Sequence, residues 1–404
     1  GGTLEVTGTA LLRGDDPTSF GDGLVVDSIL SADDVTMVGY VSLNNAANNI
    51  TGLVRVDGDV ILGADNTWAQ VAGGGALDLD AYTLTVGDET DSFGPALFGF
   101  EGSGLEKTGT GTLTFGNALA DLDSVTITDG TLALTGGGSA LWTLSGAGTL
   151  VKNGGDTLTI ESTGNTGFTG KVVATGGILR IPGQDTLGDT PASLVPDHIT
   201  LSGGARIQGG DFAGIDITLD ANRGITLDGG NSGFHTWTGF TTTVDGPIVN
   251  GNVQVDDGNG GTTTQAATLT KSDGGTVIIN GGSTHLGDTR VEGGVMDVRS
   301  AIPNSKNLRL TGTSELVVGP GAVITTERIA TSDGNGAQST VTHNGGILNI
   351  TGTNNNNNTG ASFLIGHWGA NNASSLYEFS DGELNSTGAE MSFGWDSANV
   401  VMNQ

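Results

Sequence analysis

The chain has 404 residues, of which 72 are glycine, 44 are acidic, 14 are lysine or arginine and none is cysteine. A formal net charge of −30 repels a phosphate backbone, and no basic stripe reverses that sign locally, so nucleic acid is excluded as a partner. The lack of cysteine excludes thiolate catalysis, iron–sulfur clusters and cysteine-bound zinc. No stretch approaches the roughly 18 apolar residues of a membrane-spanning helix, so we predict no membrane-spanning segment.

Short apolar runs alternate with glycine, asparagine, aspartate and threonine along the whole chain. Hydrophobic residues make up 35% of it, mostly leucine, valine and isoleucine at alternate positions. No long window has the spacing of three and four residues that a helix requires. The glycines lack the period of collagen, and only eight prolines are present, too few for a disordered linker protein. The pattern predicts an all-β protein with almost no helix.

The first segment, residues 1–103, consists of such strands. The runs "GGTLEV" and "GGALDL" each follow a glycine turn and carry one apolar face. Between them, the loop "RGDDPTSFGDG" contains Asp15, Asp16 and Asp22. Calcium binds several hard oxygens from flexible loops, so Asp15 and Asp16 are candidate calcium ligands. Aspartate also favours turns for backbone reasons alone, which is the plainer interpretation.

The second segment, residues 104–300, restates one phrase: "LEKTGTGTLTF", "LVKNGGDTLTI" and "LTKSDGGTVII". In two copies a glycine follows the lysine at the twenty-third position and an apolar residue at the twenty-fifth; the middle copy is two residues longer. The lysines are Lys107, Lys152 and Lys271, the glycines Gly130, Gly177 and Gly294, and the apolar residues Leu132, Leu179 and Met296. Repetition at fixed offsets predicts a solenoid with a sequence unit of about 30 residues.

The three lysines of this phrase have two interpretations. They can bind an acidic ligand along one face of the solenoid. The plainer interpretation is that each is a cation beside a turn that offsets a very acidic surface. In the same segment, "VDDGNGG" contains Asp256 and Asp257, which are further candidate calcium ligands beside the same alternative of a simple turn.

The third segment, residues 301–404, contains Asp333 in "TSDGNG", a further candidate calcium ligand, and a run of five asparagines from Asn354. Stacked asparagines stabilise β-helical coils, although a polar loop is an equal alternative for this run. Near the end, "FLIGHWG" is echoed by "MSFGW", which aligns Trp368 with Trp395. These tryptophans are candidate sugar-stacking residues, or equivalent packing residues of successive coils. The second echo stops where a glycine pair is due, so we expect the natural chain to continue.

These elements predict stacked coils of about 20 residues, with strands of neighbouring coils hydrogen-bonded about 4.8 Å apart around a narrow apolar core. An antiparallel sandwich array is the alternative fold. It explains the short strands equally well, but it explains the constant offsets of lysine and glycine less well.

The phrase L-x-K-x-G-x-G-T-L-T, followed about 20 residues later by G-T-L, resembles the autotransporter-associated β-strand repeat of bacterial passenger domains. Residues 104–135 and 148–181 match it well, and residues 267–299 match it with "SDGG" in place of the G-x-G. The resemblance implies an elongated, right-handed parallel β-helix on the bacterial surface or secreted from the cell. It implies no catalytic residue.

We therefore expect a non-catalytic, extracellular structural or adhesive scaffold, with self-association into fibres or surface glycans as partners, and calcium as the one cofactor to consider. The alternative is a carbohydrate-binding or carbohydrate-cleaving β-helix. Carboxylate pairs do not decide this, because 44 acids make pairs unavoidable. The serine elbow, the zinc-protease helix motif and the phosphate loop are missing from the sequence. A groove with tryptophan or tyrosine side chains beside clustered aspartates would favour the alternative, and a smooth side wall would favour a scaffold.

Overall fold

The computed structural model describes residues 3–14, 24–87, 92–93, 96–119, 121–209, 215–256, 261–332, 336–352, 361–366, 373–387, 390–393 and 399–403. The chain is an all-β, parallel β-solenoid of about 15 turns, which confirms the predicted fold class and excludes the antiparallel sandwich. One short 3₁₀ helix, η1 (Gln184–Leu187), is the helical element of the described residues. Within the described residues, no helix is long and apolar enough to cross a membrane.

The chain divides into two compact units. The first unit comprises residues 1–173 and 185–189, and the second comprises residues 174–184 and 190–404. The three segments proposed from the sequence follow repeat content rather than compactness, and that division stays a prediction.

The first unit is built from short strands in parallel rows, in which β1, β3, β5, β7, β9, β12, β14 and β17 form one row and β2, β4, β6, β8 and β11 another. Strands β10, β13, β15 and β18 form a third row, and β16 pairs with β19. The strands are β1 (Thr3–Arg13), β2 (Leu24–Val26), β3 (Ile29–Val38), β4 (Tyr40–Leu43), β5 (Asn49–Val56), β6 (Asp59–Leu62), β7 (Asn66–Ala72), β8 (Ala76–Asp78), β9 (Thr83–Val86), β10 (Ser92–Phe93), β11 (Ala96–Phe98), β12 (Gly104–Lys107), β13 (Thr112–Phe115), β14 (Ser124–Ile127), β15 (Thr131–Leu134), β16 (Gly138–Ala140), β17 (Thr143–Gly146), β18 (Thr149–Lys152), β19 (Thr157–Ile160) and β20 (Lys171–Ala174), which crosses the boundary.

Coil length in the first unit follows from the strand register. Leu84 pairs with Leu105, 21 residues later; Leu105 pairs with Val125 after 20 residues and Val125 with Leu144 after 19. The predicted coil of about 20 residues is therefore confirmed. These four side chains are buried, because alternate positions of every strand point into the interior.

The second unit has two long parallel rows. One runs β21, β23, β26, β31, β33, β35, β37, β39, β41, and the other runs β24, β27, β32, β34, β36, β38, β40, β42; β22, β25 and β28 form a shorter row. The strands are β21 (Ile178–Ile181), β22 (Val195–Leu201), β23 (Arg206–Gly209), β24 (Ile217–Leu219), β25 (Arg223–Leu227), β26 (Asn231–His235), β27 (Thr241–Val244), β28 (Ile248–Asn250), β29 (Gln254–Asp256), β30 (Thr262–Thr264), β31 (Thr268–Ser272), β32 (Thr276–Ile279), β33 (Thr289–Val291), β34 (Gly294–Val298), β35 (Ala301–Leu310), β36 (Thr313–Val318), β37 (Val323–Ala330), β38 (Gln338–Ile350), β39 (Ala361–Ile365), β40 (Ser374–Ser386), β41 (Glu390–Phe393) and β42 (Asn399–Asn403).

Coils of the second unit vary in length. Leu269 pairs with Thr289, 20 residues later, whereas Asn231 pairs with Thr268 after 37. The longer coil includes β29 and β30, which form an antiparallel hairpin. The extra residues thus lie in the chain that connects two stacked strands, and the strands still pair in parallel.

The glycine that recurs after each lysine has a conformational reason. Gly130, Gly177 and Gly294 have φ values of 67°, 62° and 62°, in the left-handed region that other residues disfavour. A Cβ on Gly130 would lie 2.2 Å from the Gly109 carbonyl oxygen, and one on Gly294 would lie 2.2 Å from that of Gly275. The repeat therefore requires glycine because neighbouring turns approach through their backbones.

Candidate functional site

The candidate ligand residues from the sequence fall almost entirely outside the described residues. This applies to the calcium candidates Asp15, Asp16, Asp257 and Asp333, and to the sugar-stacking candidates Trp368 and Trp395. The run of asparagines from Asn354 lies outside them as well. Asp256 ends strand β29 of the hairpin, but its side chain is not among those described. All of these assignments stay predictions.

The repeat lysines correct the interpretation made from the sequence. Lys107, Lys152 and Lys271 are fully buried, so they do not offset the acidic surface. Each occupies an inward position of its strand, in register with apolar residues such as Ile127, Leu134 and Phe234. The sequence pattern did not predict that these lysines are buried, because a lysine next to a glycine turn is usually exposed.

Each lysine ammonium group donates to carbonyl oxygens of turns. In all three copies one acceptor is the residue two positions later: Gly109, Gly154 (2.6 Å) or Asp273 (2.6 Å). A turn of the adjacent coil supplies another, from Gly87 to Lys107 (2.9 Å) and from Gly293 to Lys271 (2.9 Å). We call this arrangement the lysine socket. It joins two coils by charge-assisted hydrogen bonds.

Burial in the socket has an electrostatic cost. Desolvation lowers the pKa of Lys271 to about 8, although Asp273 opposes the shift. Desolvation also lowers the pKa of Lys152, against the opposing effect of Asp156. Because the ammonium group is buried and hydrogen-bonded to carbonyl oxygens of two coils, this position links stacked coils and is not accessible to a ligand.

A polar row crosses four neighbouring strands of the second unit. Arg180 Nε donates to Gln208 Oε1 at 2.9 Å, and the Arg180 guanidinium lies 4.7 Å from the centre of the Trp237 ring. On the next strands, His235 Nδ1 lies 3.2 Å from Ser272 Oγ. The Gln208 side chain is buried, and its Nε2 has no hydrogen-bond partner among the described residues. The positive charges of Arg180, Arg206 and Lys271 all lie close enough to His235 to lower its pKa.

The same row contains a serine, an imidazole and a carboxylate in contact. His235 Nε2 lies 3.2 Å from Asp273 Oδ2, opposite its contact with Ser272. Desolvation lowers the pKa of His235, and Lys271 and Arg206 add to this against Asp273. The order of groups is that of a nucleophilic triad. However, Ser272 Oγ also donates to the Phe234 carbonyl at 3.2 Å, which ties the hydroxyl to the ladder.

A groove opens on the first unit, and we name it the phenylalanine groove. It has a volume of about 520 Å³. Phe98, Phe100 and Leu141 line it and are 41%, 64% and 61% exposed. Its other lining residues are Asp78, Gly99, Glu101, Asp121, Leu122 and Asp123. It therefore combines exposed aromatic rings with four carboxyl groups.

The groove is built by consecutive coils. Asp78 ends β8 and pairs in register with Phe98, which ends β11. Gly99 follows at a point of close approach, since a Cβ there would lie 2.3 Å from Ser103 Oγ. Ser103 is fully buried, and its hydroxyl has no partner within the part of the chain that the structure describes. Glycine at position 99 therefore allows the backbone between Phe98 and Phe100 to pack closely against the interior.

Sequence reasoning missed this groove, although a signal for it was present. In "ALFGFEG" the inward position is Leu97, so Phe98 and Phe100 take outward positions, where the pattern leads one to expect small or polar residues. Asp121 and Asp123 come one coil later. Only the strand register brings them beside the rings.

Among the described residues, no three His, Asp or Glu side chains are close enough to share a metal ion. Comparison of the chain with protein-family models, with curated proteins and with solved structures finds no match. The resemblance to the autotransporter-associated repeat accordingly stays a prediction. The polar row, the lysine sockets and the phenylalanine groove are the features from which function can be argued.

Proposed function

We propose that this chain is a non-catalytic, extracellular structural or adhesive scaffold of a bacterial cell. One observation carries the proposal. The lysine is the one ionisable residue that all three copies of the repeated phrase share, and its ammonium group is buried, where it donates hydrogen bonds to turn carbonyls. A phrase that recurs to join coils serves length and rigidity. Adhesion or self-association would then come from the surfaces that the coils carry.

Location is tested by protease treatment of intact source cells, followed by detection of this chain in the released peptides. Peptides released without cell lysis support a surface-exposed scaffold. Protection on intact cells, with cleavage only after lysis, would contradict the proposed location.

Assembly is tested by negative-stain electron microscopy of the purified protein, with and without a calcium chelator. Continuous filaments with a repeating subunit support fibre formation. Filaments that dissolve with chelator support calcium ligation by the aspartate loops. Separate particles in every condition contradict self-association and leave a monomeric surface scaffold.

The non-catalytic part of the proposal is tested at the polar row. A fluorophosphonate probe reacts with a serine hydroxyl only where a neighbouring base activates it. We expect no labelling of Ser272, as its hydroxyl is tied to the Phe234 carbonyl. Labelling that Ser272→Ala and His235→Gln both abolish would overturn this expectation.

Carbohydrate binding is a second candidate function, and the phenylalanine groove favours it. Exposed aromatic rings provide apolar faces for the C–H faces of sugars, and carboxylates accept hydrogen bonds from hydroxyl groups. Screening the full chain on a glycan array tests this function. Binding that Phe100→Ala weakens supports it, whereas binding unaffected by that change places any glycan site elsewhere.

A further inference from the structure

The phenylalanine groove offers a ligand acceptors but few donors. The side chains that line it are carboxylates, aromatic rings, aliphatic groups and a glycine. Three backbone N–H groups of the lining residues are already engaged: Phe100 donates to the carbonyl of Asp80 at 2.7 Å, Leu122 to that of Leu119 at 3.2 Å, and Asp123 to that of Ser103 at 3.2 Å. A ligand that fits must therefore supply hydrogen-bond donors and carry few strong acceptors such as carbonyl or carboxylate oxygens.

Charge restricts the ligand further. Among the described residues, none of the four lining carboxylates forms an ion pair with lysine or arginine. None of the residues that line the groove is basic. The groove therefore attracts cations and repels uronic acids or sulfated sugars.

Three classes of ligand fail one of these conditions. A metal ion needs converging oxygens, and no three acidic side chains converge within the described part of the chain. A basic peptide brings a backbone carbonyl with each residue, a stronger acceptor than the ether and hydroxyl oxygens of a sugar, and the backbone N–H groups named above are already engaged. A neutral sugar satisfies the rings but gains nothing from the charge.

An amino sugar meets all of the conditions. Its protonated amine and hydroxyl groups donate to carboxylates, and its C–H face can lie against an aromatic ring. An ammonium group within about 6 Å of a ring is also attracted to the ring face. The volume of about 520 Å³ lies within the range of small-ligand sites.

We propose that the phenylalanine groove binds a cationic amino sugar, as found in glucosamine oligosaccharides, with Phe98 and Phe100 against the sugar and Asp121 and Asp123 on its amines. The inference rests on the second candidate function, carbohydrate binding. Asp78 and Glu101 add two more carboxylates to the lining of the groove.

The test is titration calorimetry of the full chain with four ligands: a glucosamine tetramer, its fully N-acetylated form, a neutral glucose tetramer and spermine. We expect the glucosamine tetramer to bind at least tenfold more tightly than the other three. Its affinity should fall with added salt, because exposed charges are screened.

Variants identify the site. Phe100→Ala and the double change Asp121→Asn with Asp123→Asn should each weaken binding about tenfold, since both remove central contacts. Leu11→Ala and Glu161→Gln change an exposed apolar and an exposed acidic residue elsewhere on the same unit and should leave affinity unchanged. Circular dichroism confirms that each variant is folded.

The outcomes separate the inference from the function on which it rests. If the acetylated and neutral tetramers bind as tightly as the glucosamine tetramer, the preference for amines is overturned and carbohydrate binding still stands. If spermine binds as tightly as the glucosamine tetramer, charge alone accounts for binding, and the proposal that the ligand is a sugar is overturned. Lack of binding by all four ligands would remove both the inference and carbohydrate binding by this groove.

Discussion

Among the described residues of the first unit, paired residues of neighbouring coils lie 17–22 positions apart beyond the β1–β3 pair. In the second unit they lie 19–37 positions apart. Both units nevertheless contain a lysine socket and a left-handed glycine after it. Parallel stacking therefore constrains the register of the strands and the turns beside them. It does not constrain the length of chain between strands, because that chain can project from the ladder.

The units also differ in what they bury. All five histidines of the chain lie in the second unit. His285 contacts Ser283 Oγ at 2.7 Å and Thr289 Oγ1 at 3.0 Å, and the Thr289 hydroxyl donates to Ser305 at 2.9 Å. A buried polar chain of this kind is stable only while every member keeps its partner. The second unit should therefore respond to pH where the first does not.

The largest predicted effect is acid destabilisation of the second unit through His285. Burial lowers the pKa of His285 to about 4, below its ordinary value of 6.5, although Asp288 opposes this. The unfolded chain takes up a proton first, so stability is full above pH 6.5 and falls as the pH drops towards 4. The integrated loss is about 3 kcal/mol.

The measurement is urea unfolding of the full chain at several pH values, with a hydrogen-exchange pulse at fixed pH to locate unfolded segments. His285→Gln removes this titration and should flatten the pH dependence of the second unit between 6.5 and 4. A first unit that loses as much stability as the second would contradict the comparison.

The next effect tests whether the two units share one turn geometry. Gly130→Ala and Gly294→Ala should each cost about 2–3 kcal/mol, because alanine disfavours the left-handed conformation and its Cβ meets a carbonyl oxygen. Gly155→Ala is the control, since no atom lies within 4 Å of a Cβ there. Chemical denaturation measures all three, and unequal losses at Gly130 and Gly294 would mean that the turns are not equivalent.

Lys271→Met tests the lysine socket. Methionine retains an apolar stem but leaves the carbonyls of Ser272, Asp273 and Gly293 without their donor. We expect a loss of about 2 kcal/mol in denaturation experiments. Lys306→Met, at an exposed strand position, is the control. Unchanged or increased stability of Lys271→Met would mean that desolvation of the ammonium cancels its hydrogen bonds.

The smallest effect concerns the hydroxyl group of Tyr377. This buried side chain lies 3.0 Å from His343 Nδ1, and burial raises the pKa of the hydroxyl, which keeps it neutral. Tyr377→Phe should cost about 1 kcal/mol, with unfolding confined to the second unit. A loss of the same size in first-unit segments would show that the two units unfold together.

Much of the fold was predictable from residues alone. Alternation of apolar residues identified strands, and the fixed distance from Lys107 to Gly130 and from Lys271 to Gly294 identified stacked coils. The reason is local: a left-handed turn needs glycine, and an inward position needs an apolar side chain. Stacking of side-chain amides was anticipated for the asparagine run and is seen elsewhere, where Asn48 donates to Asn66 at 3.0 Å.

The site was not predictable in the same way. That a lysine lies inside the solenoid depends on carbonyl oxygens supplied by a neighbouring coil, such as Gly87 for Lys107 and Gly293 for Lys271. The phenylalanine groove likewise needs Phe98 and Asp121 to come together across successive coils. Periodicity predicted stacked coils and favoured them over an antiparallel sandwich array, and the structure showed that the ladder is parallel. The register between coils, which joins residues about 20 positions apart, decided which charges are buried and which rings face a ligand.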